Sequence, residues 1–318
     1  MTSSTVPPYH RDPAEIQERR PKTRPRRLKQ QQVIAAWILV LPFVLVFAAM
    51  FIIPLLYALV LSLFHSSLVD GNTFAWFYNY GRALTDPSFW HGMTHVALFL
   101  VIQVPLMIGI ALIFALVIDS GRLAGAGFVR LAIFLPFAVP GVVAALMWGY
   151  MYEPQFGLIS QLAKVLLLPQ PNLLSPQNIL GSIMNIVFWG AIGYNMIVMY
   201  SALKSVPEEL YDAAQIDGAG RIRVAWSIKI PAIRGAILLT VIFSVIGAFQ
   251  LFNEPNLLAN LAPNSVGTDF SPNLYAYNVA FKNQDVNYSA AISFLLGIAV
   301  MIISYVMQRV ANRKEKTS

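Results

Sequence analysis

The sequence contains no cysteine, so disulfides and thiolate metal sites are excluded and the redox compartment is unreadable. Charge is scarce. Asp, Glu, Lys and Arg make up 12% of the 318 residues, whereas a soluble domain carries about a quarter. No G-x-x-x-x-G-K-S/T phosphate loop occurs, and no H-E-x-x-H pair. The chain therefore holds neither ATP in a Walker loop nor zinc in the manner of a helical metalloprotease.

What the chain has in abundance is apolar length. Hydrophobic residues make up 57% of it, in recurring runs near 20 residues, enough to cross a hydrocarbon core of roughly 30 Å. Spans are predicted at Val33–Leu61, Thr94–Ile118, Leu131–Tyr152, Ile179–Leu203, Ala236–Asn253 and Tyr288–Gln308. Within them the only Asp, Glu, Lys, Arg or His is His95, at the outer edge of the second. Proton-coupled carriers and most intramembrane hydrolases need ionisable groups at depth, so both classes are disfavoured. A sodium-coupled carrier using backbone carbonyls passes this test, as does a membrane scaffold or assembly factor. Prolines interrupt the first three spans: Pro42 and Pro54, Pro105, then Pro136 and Pro140. Kinked helices around a cavity and ordinary tolerance of proline in membrane helices explain them equally well.

Basic residues set the orientation. Of the 22 Lys and Arg, all but Arg82, Lys164 and Lys282 fall in the two termini or in the second and fourth loops. Both termini and the loop at 204–235 are thus expected on the cytoplasmic side. This bias accounts for the net charge of +7 without a nucleic-acid partner. Residues 1–32 read as a basic, proline-interrupted orienting tail, with contact to anionic membrane lipid as the alternative. The first span is too long for a signal-peptide core and is expected to stay uncleaved. The chain thus divides into the tail, a first span with its outward loop (33–93), a core (94–310) and a short C-terminal tail (311–318). His91 and His95 lie four apart on one helical face, but no third ligand is near, so no metal site is assigned.

The segment Pro207–Pro231, PEELYDAAQIDGAGRIRVAWSIKIP, is patterned where most connecting loops are not. Pro207 suits a first helical turn, and Glu208 and Glu209 complement the positive end of the helix dipole. Leu210, Ala213, Ala214 and Asp217 share one face; Gly218 is placed to end the helix and Gly220 to allow a further bend. Ile222, Ala225, Trp226 and Lys229 align on a second short helix that Pro231 is expected to stop. From the residues alone, this hairpin either packs under its own bundle or meets another protein.

The stretch DAAQIDGAGRIRVAWSIKIP resembles the EAA loop of ABC importer permeases: E-A-A, three residues, Gly, about nine residues, then I-x-L-P. Asp212, Ala213, Ala214, Gly218, Ile228 and Pro231 fall in register, with Asp212 replacing Glu and Ile230 replacing Leu. The resemblance extends through Asn79–Trp90, Arg130–Ser160, Phe249–Pro255 and Tyr275–Phe281, and is nearest to subunits of the maltose and glycerol-phosphate permease type. Two features depart from it. NLAPNSVGTDF stands where the family has T-G-G-G-P, and the large outward domain of the enteric maltose permease is missing.

The resemblance implies an all-α integral membrane protein with the six-transmembrane-helix, type I importer (MetI-like) fold. It implies a permease subunit, not an enzyme, working by alternating access with carbohydrate as substrate. Its implied partners are a second homologous permease, two copies of an ABC ATPase and an extracytoplasmic solute-binding protein. ATP and magnesium would sit on the ATPase, leaving this chain without a cofactor. Asp212, Ala213, Ala214, Gly218, Ala219, Trp226, Ile228 and Pro231 would form the ATPase-coupling surface.

Sugars need aromatic faces and amides at mid-depth. Asn185, Trp189, Tyr194 and Asn195 in the fourth span, and Phe249, Gln250 and Asn253 in the fifth, are the candidates. In the resemblance, Tyr194 matches a sugar-contacting tyrosine of the maltose permease, and Gln250 lies in its asparagine-rich contact stretch. Lipid-facing or core packing, with amides joining helices, is the competing explanation.

Overall fold

The computed structural model of the chain describes residues 26–67 and 71–315. The basic tail predicted at 1–32 therefore lies outside the described residues up to position 25, as do the last three residues of the C-terminal tail. Two compact units divide between Tyr57 and Ala58. The first holds most of α1 (Gln32–Ser62), a span whose apolar side chains, from Trp37 to Val60, are largely exposed.

After α1 the chain forms a small antiparallel hairpin, β1 (Phe64–Ser67) and β2 (Gly71–Phe74), with Phe64 opposite Phe74. The all-helical reading missed it. Then follow α2 (Tyr78–Thr85) and the long span α3 (Pro87–Asp119). Next come α4 (Ala126–Ala138), α5 (Gly141–Tyr152), α6 (Leu158–Val165) and the span α7 (Ile179–Leu203). The chain closes with α8 (Glu209–Ile216), α9 (Arg221–Ala232), α10 (Arg234–Phe249), α11 (Asn253–Leu261), α12 (Pro272–Phe281) and α13 (Val286–Glu315).

Proline behaves in two different ways in these helices, and the difference shapes the bundle. Pro54, Pro105 and Pro231 each follow a π turn: Ala48–Ile52, Phe99–Gln103 and Ala225–Lys229. A proline ring collides with the carbonyl four residues earlier and gives no N–H to it. Those residues are Met50, Val101 and Ser227, each in the middle of a π turn. The wider turn absorbs the extra bulk and the helix continues. Pro231 accordingly does not stop the second loop helix, as its position in the sequence led one to expect. The helix runs on to Ala232 and bends by 69° into α10.

Pro136 and Pro140 do the opposite. Leu135–Ala138 tightens to a 3₁₀ turn, Val139 and Pro140 are extended, and α5 leaves α4 at 97°. The span predicted as one helix over Leu131–Tyr152 is thus a broken pair. The fifth span is also shorter than predicted, ending at Phe249 and placing Asn253 at the start of the separate helix α11.

The core is built around α3 and α7. Ala111 and Ala115 are fully buried and let the two helices close on Ile192, Met196 and Met199. The Gln103 amide joins them by donating to the Met184 carbonyl at 3.0 Å. A second cluster joins α2, α3, α10, α12 and α13 around Tyr288 and Phe249. At its edge the Asp86 carboxylate accepts from the hydroxyls of Tyr275 (2.5 Å) and Tyr288 (2.6 Å). The Arg82 guanidinium lies 3.8 Å above the Tyr288 ring and binds Asp285 at 2.8 Å.

Burial pushes the Asp86 carboxyl up, but the two hydroxyls, the Ser88 amide and the Arg82 charge outweigh it and hold it below its usual range. Burial and the same hydrogen bond push Tyr275 up to about 12. A depressed carboxyl contributes stability above its unfolded pKa of about 3.9 and loses it as pH falls through the lower folded value. The melting temperature should therefore fall below about pH 4, and Asp86→Asn should lower it near neutrality while flattening that acid limb.

Candidate functional site

Two regions carry the predicted functional residues. The first is the helical hairpin α8–α9. Gly218 adopts φ +75° and the Ala219 amide donates to the Ala214 carbonyl at 2.9 Å, closing α8 as its position in the sequence implied. Asp212 and Ala213 are exposed, while Ala214, Ala219 and Ile228 are partly covered. The large apolar side chains point outward: Ile216 is 87% exposed, Ile222 77% and Trp226 70%. Ile222 and Trp226 border an open groove of about 760 Å³ with Gly220, Arg221, Arg223 and Ser227. The hairpin therefore does not bury its apolar face under its own bundle. Only Val224 and Ile233 turn inward and are buried.

The hairpin is also tethered. Asp119, at the end of α3, has a side chain only 4% exposed and binds two lysines. Lys229 on α9 reaches one oxygen at 2.5 Å, and Lys204, just past α7, reaches the other at 3.0 Å.

The second region surrounds the break between α4 and α5. Phe137, in the 3₁₀ turn, stacks on Tyr194 with ring centroids 5.1 Å apart and planes at 21°. Gly193 makes this approach possible. A Cβ there would overlap the Ile133 carbonyl and sit 2.7 Å from the Phe134 Cα. On the other side of the break, a carboxylate oxygen of Glu254 lies 4.0 Å from where a Cβ on Gly141 would stand. Burial raises the Glu254 carboxyl, its own backbone amide lowers it by less, and no cation pairs with it among the described residues. Gln250 is exposed where α10 ends, and Asn253 is exposed at the first residue of α11. An aromatic face, an amide and an unpaired carboxylate thus flank one helix break.

Not every predicted sugar contact belongs there. Asn195 is 2% exposed, and its amide donates to the Ala191 carbonyl of its own helix at 3.1 Å. Phe249 is 3% exposed within the second core cluster. Neither is open to a solute. Trp189 packs edge-on to Trp148 at 5.8 Å, and Asn185 donates to the Tyr152 hydroxyl at 2.7 Å. The histidines face α12's approach: His91 meets Asp269 at 3.1 Å and His95 the Phe270 carbonyl at 2.7 Å. Sequence reasoning missed Phe137, Gly193, Glu254 and Asp119. Only the closely spaced Pro136 and Pro140 could have signalled the first.

Comparison with known proteins agrees with this geometry. Residues 107–317 match the family model "binding-protein-dependent transport system inner membrane component". The trehalose transport system permease of Mycobacterium tuberculosis is 30% identical, covering 85% of this chain and 86% of its own length. The lactose transport system permease of Rhizobium radiobacter is 29% identical, covering 91% and 97%. A chain of a bacterial alginate ABC transporter, solved with its alginate-bound periplasmic protein, superposes with a TM-score of 0.75. It has 19% identity and coverage of 90% and 96%, and it shares the fold. With six candidate spans when each bent pair is counted once, and a family model matched through the whole hairpin, the chain belongs to the binding-protein-dependent transport system inner membrane components.

Proposed function

We propose that this chain is one permease subunit of an ATP-driven importer that carries a neutral saccharide across the cytoplasmic membrane by alternating access. The observation that carries the proposal is the α8–α9 hairpin, with Ile216, Ile222 and Trp226 exposed on a short, well-closed helical pair. Such side chains in a connecting loop fit a protein interface with a central aromatic anchor. In this reading the hairpin is cytoplasmic, as the basic-residue bias requires, and docks on a separate ATPase that supplies ATP and magnesium. A solute-binding protein delivers the sugar to the opposite side, and a second permease completes the pathway around two ATPase copies. ATP drives the cycle by favouring one of two bundle conformations.

Relatives named for lactose and trehalose support a saccharide. The unpaired Glu254 favours a neutral one, because a uronate would meet a like charge beside the break. The Phe137–Tyr194 stack offers the aromatic surface, and Gln250 and Asn253 the hydrogen-bonding groups.

Affinity purification of the tagged chain from native membranes, followed by mass spectrometry, tests the assembly. An ATPase, a second permease and a binding protein are expected together. The recovered binding protein should bind neutral oligosaccharides in preference to uronic ones. Recovery of the chain alone would overturn the proposal and direct attention to ion-driven flux.

A further inference from the structure

Asp119 is buried where four helices converge, and neither lysine it holds belongs to its own helix. Lys204 closes α7 and is half exposed, at 52%. Lys229 belongs to α9, is 16% exposed, and also lies 4.7 Å over the ring of Tyr211 on α8. The Tyr211 hydroxyl is itself buried without a partner, so α8 is held here by Lys229 and packing alone. The α9 segment that carries Lys229 is the π turn before Pro231, and that turn is what keeps α9 continuous up to the carboxylate. A single acidic side chain thus ties both halves of the hairpin to the ends of α3 and α7, the two most closely packed spans.

A surface ion pair would do little to fix these helices. This one is different because the carboxylate is almost fully enclosed, so removing its charge leaves two lysines facing each other across a vacated site. Resting on the importer reading above, we infer that Asp119 is a positioning residue for energy coupling. It makes the hairpin and the α3–α7 pair move as one body, so that displacement at Trp226 reaches the solute path. Without it the hairpin is still docked but yields locally, and ATP is spent without transport.

The test uses the complete transporter purified with its own partners and reconstituted in liposomes. ATP hydrolysis, solute uptake and ATPase content are measured side by side. Asp119→Asn, nearly isosteric, should keep the ATPase in the complex and retain hydrolysis. It should raise the ATP consumed per solute moved by about tenfold, the effect of losing an interaction between buried charged groups. Lys229→Met should do the same, Lys204→Met should do less, and Asp119→Glu should restore much of the coupling. A merely structural role would lower assembly and hydrolysis together and leave their ratio to transport unchanged. Unchanged coupling in both Asp119→Asn and Lys229→Met overturns the inference, while failure of the importer reading appears separately as a wild-type chain with no ATPase. If Asp119→Asn does not fold, the Lys229→Met ratio decides.

Discussion

Gly193→Val is expected to abolish uptake and to lower the thermal stability of the purified chain. Gly193 is where α7 meets α4 backbone to backbone. Even a methyl group there would overlap the Ile133 carbonyl and press on the Phe134 Cα. Those are main-chain atoms, so no side chain can rotate aside. Overpacking of this kind costs about 1–3 kcal/mol, and the displacement falls on the 3₁₀ turn that presents Phe137 to Tyr194. Stability and function are therefore lost together. Gly190→Val, three residues away on the same helix, should be tolerated far better, because a methyl group at Gly190 would meet no atom within 4 Å. Comparing melting temperature and uptake for the two variants checks this. Equal effects would show that the close approach of α4 and α7 does not govern the solute site.

Trp226→Ala should release the ATPase with little change in the fold. The side chain is 70% exposed, so its removal opens no cavity inside this chain. At an interface centre a tryptophan is the residue most often found to dominate binding, with losses of at least about 2 kcal/mol, or roughly 30-fold in affinity. Ser227→Ala, its neighbour in the same groove, should cost far less. Pull-down of the ATPase at graded detergent and salt would read the difference. Retention of the ATPase by Trp226→Ala at wild-type affinity would remove Trp226 from the docking surface.

The sequence made the spans legible because burial in lipid leaves an unbroken apolar signature. The fourth was predicted with the bounds it has, Ile179–Leu203. The hairpin was legible too, since Gly218 and the outward Ile222 and Trp226 follow from local spacing alone. Proline was not legible. Pro105 and Pro136 look alike in sequence, and only a π turn before one and an extended pair after the other separates a continued helix from a broken one. The facing of amides was also hidden. Asn195 lies next to Tyr194, yet about 100° around a helix is enough to move it from the break into the core. Glu254 escaped notice because it falls just past the predicted fifth span. Asp119 escaped because its partner Lys229 is 110 residues away.

The 97° break also bears on how the chain is made. The 12 residues of α5 rise only about 18 Å, well short of a hydrocarbon core of about 30 Å. Neither α5 nor α4 can therefore enter the bilayer as an independent span. Between them, Val139 and Pro140 are extended, and lipid offers no hydrogen bonds to such backbone. Protein must shield it: α4 rests on α7 at Gly193, and α5 rests on α11 through Gly149, Leu258 and Leu261. Both shielding helices lie later in the chain. Biogenesis is thus out of sequence order at this point, with the third crossing held in waiting until the fourth span and the segment after the fifth have been synthesised.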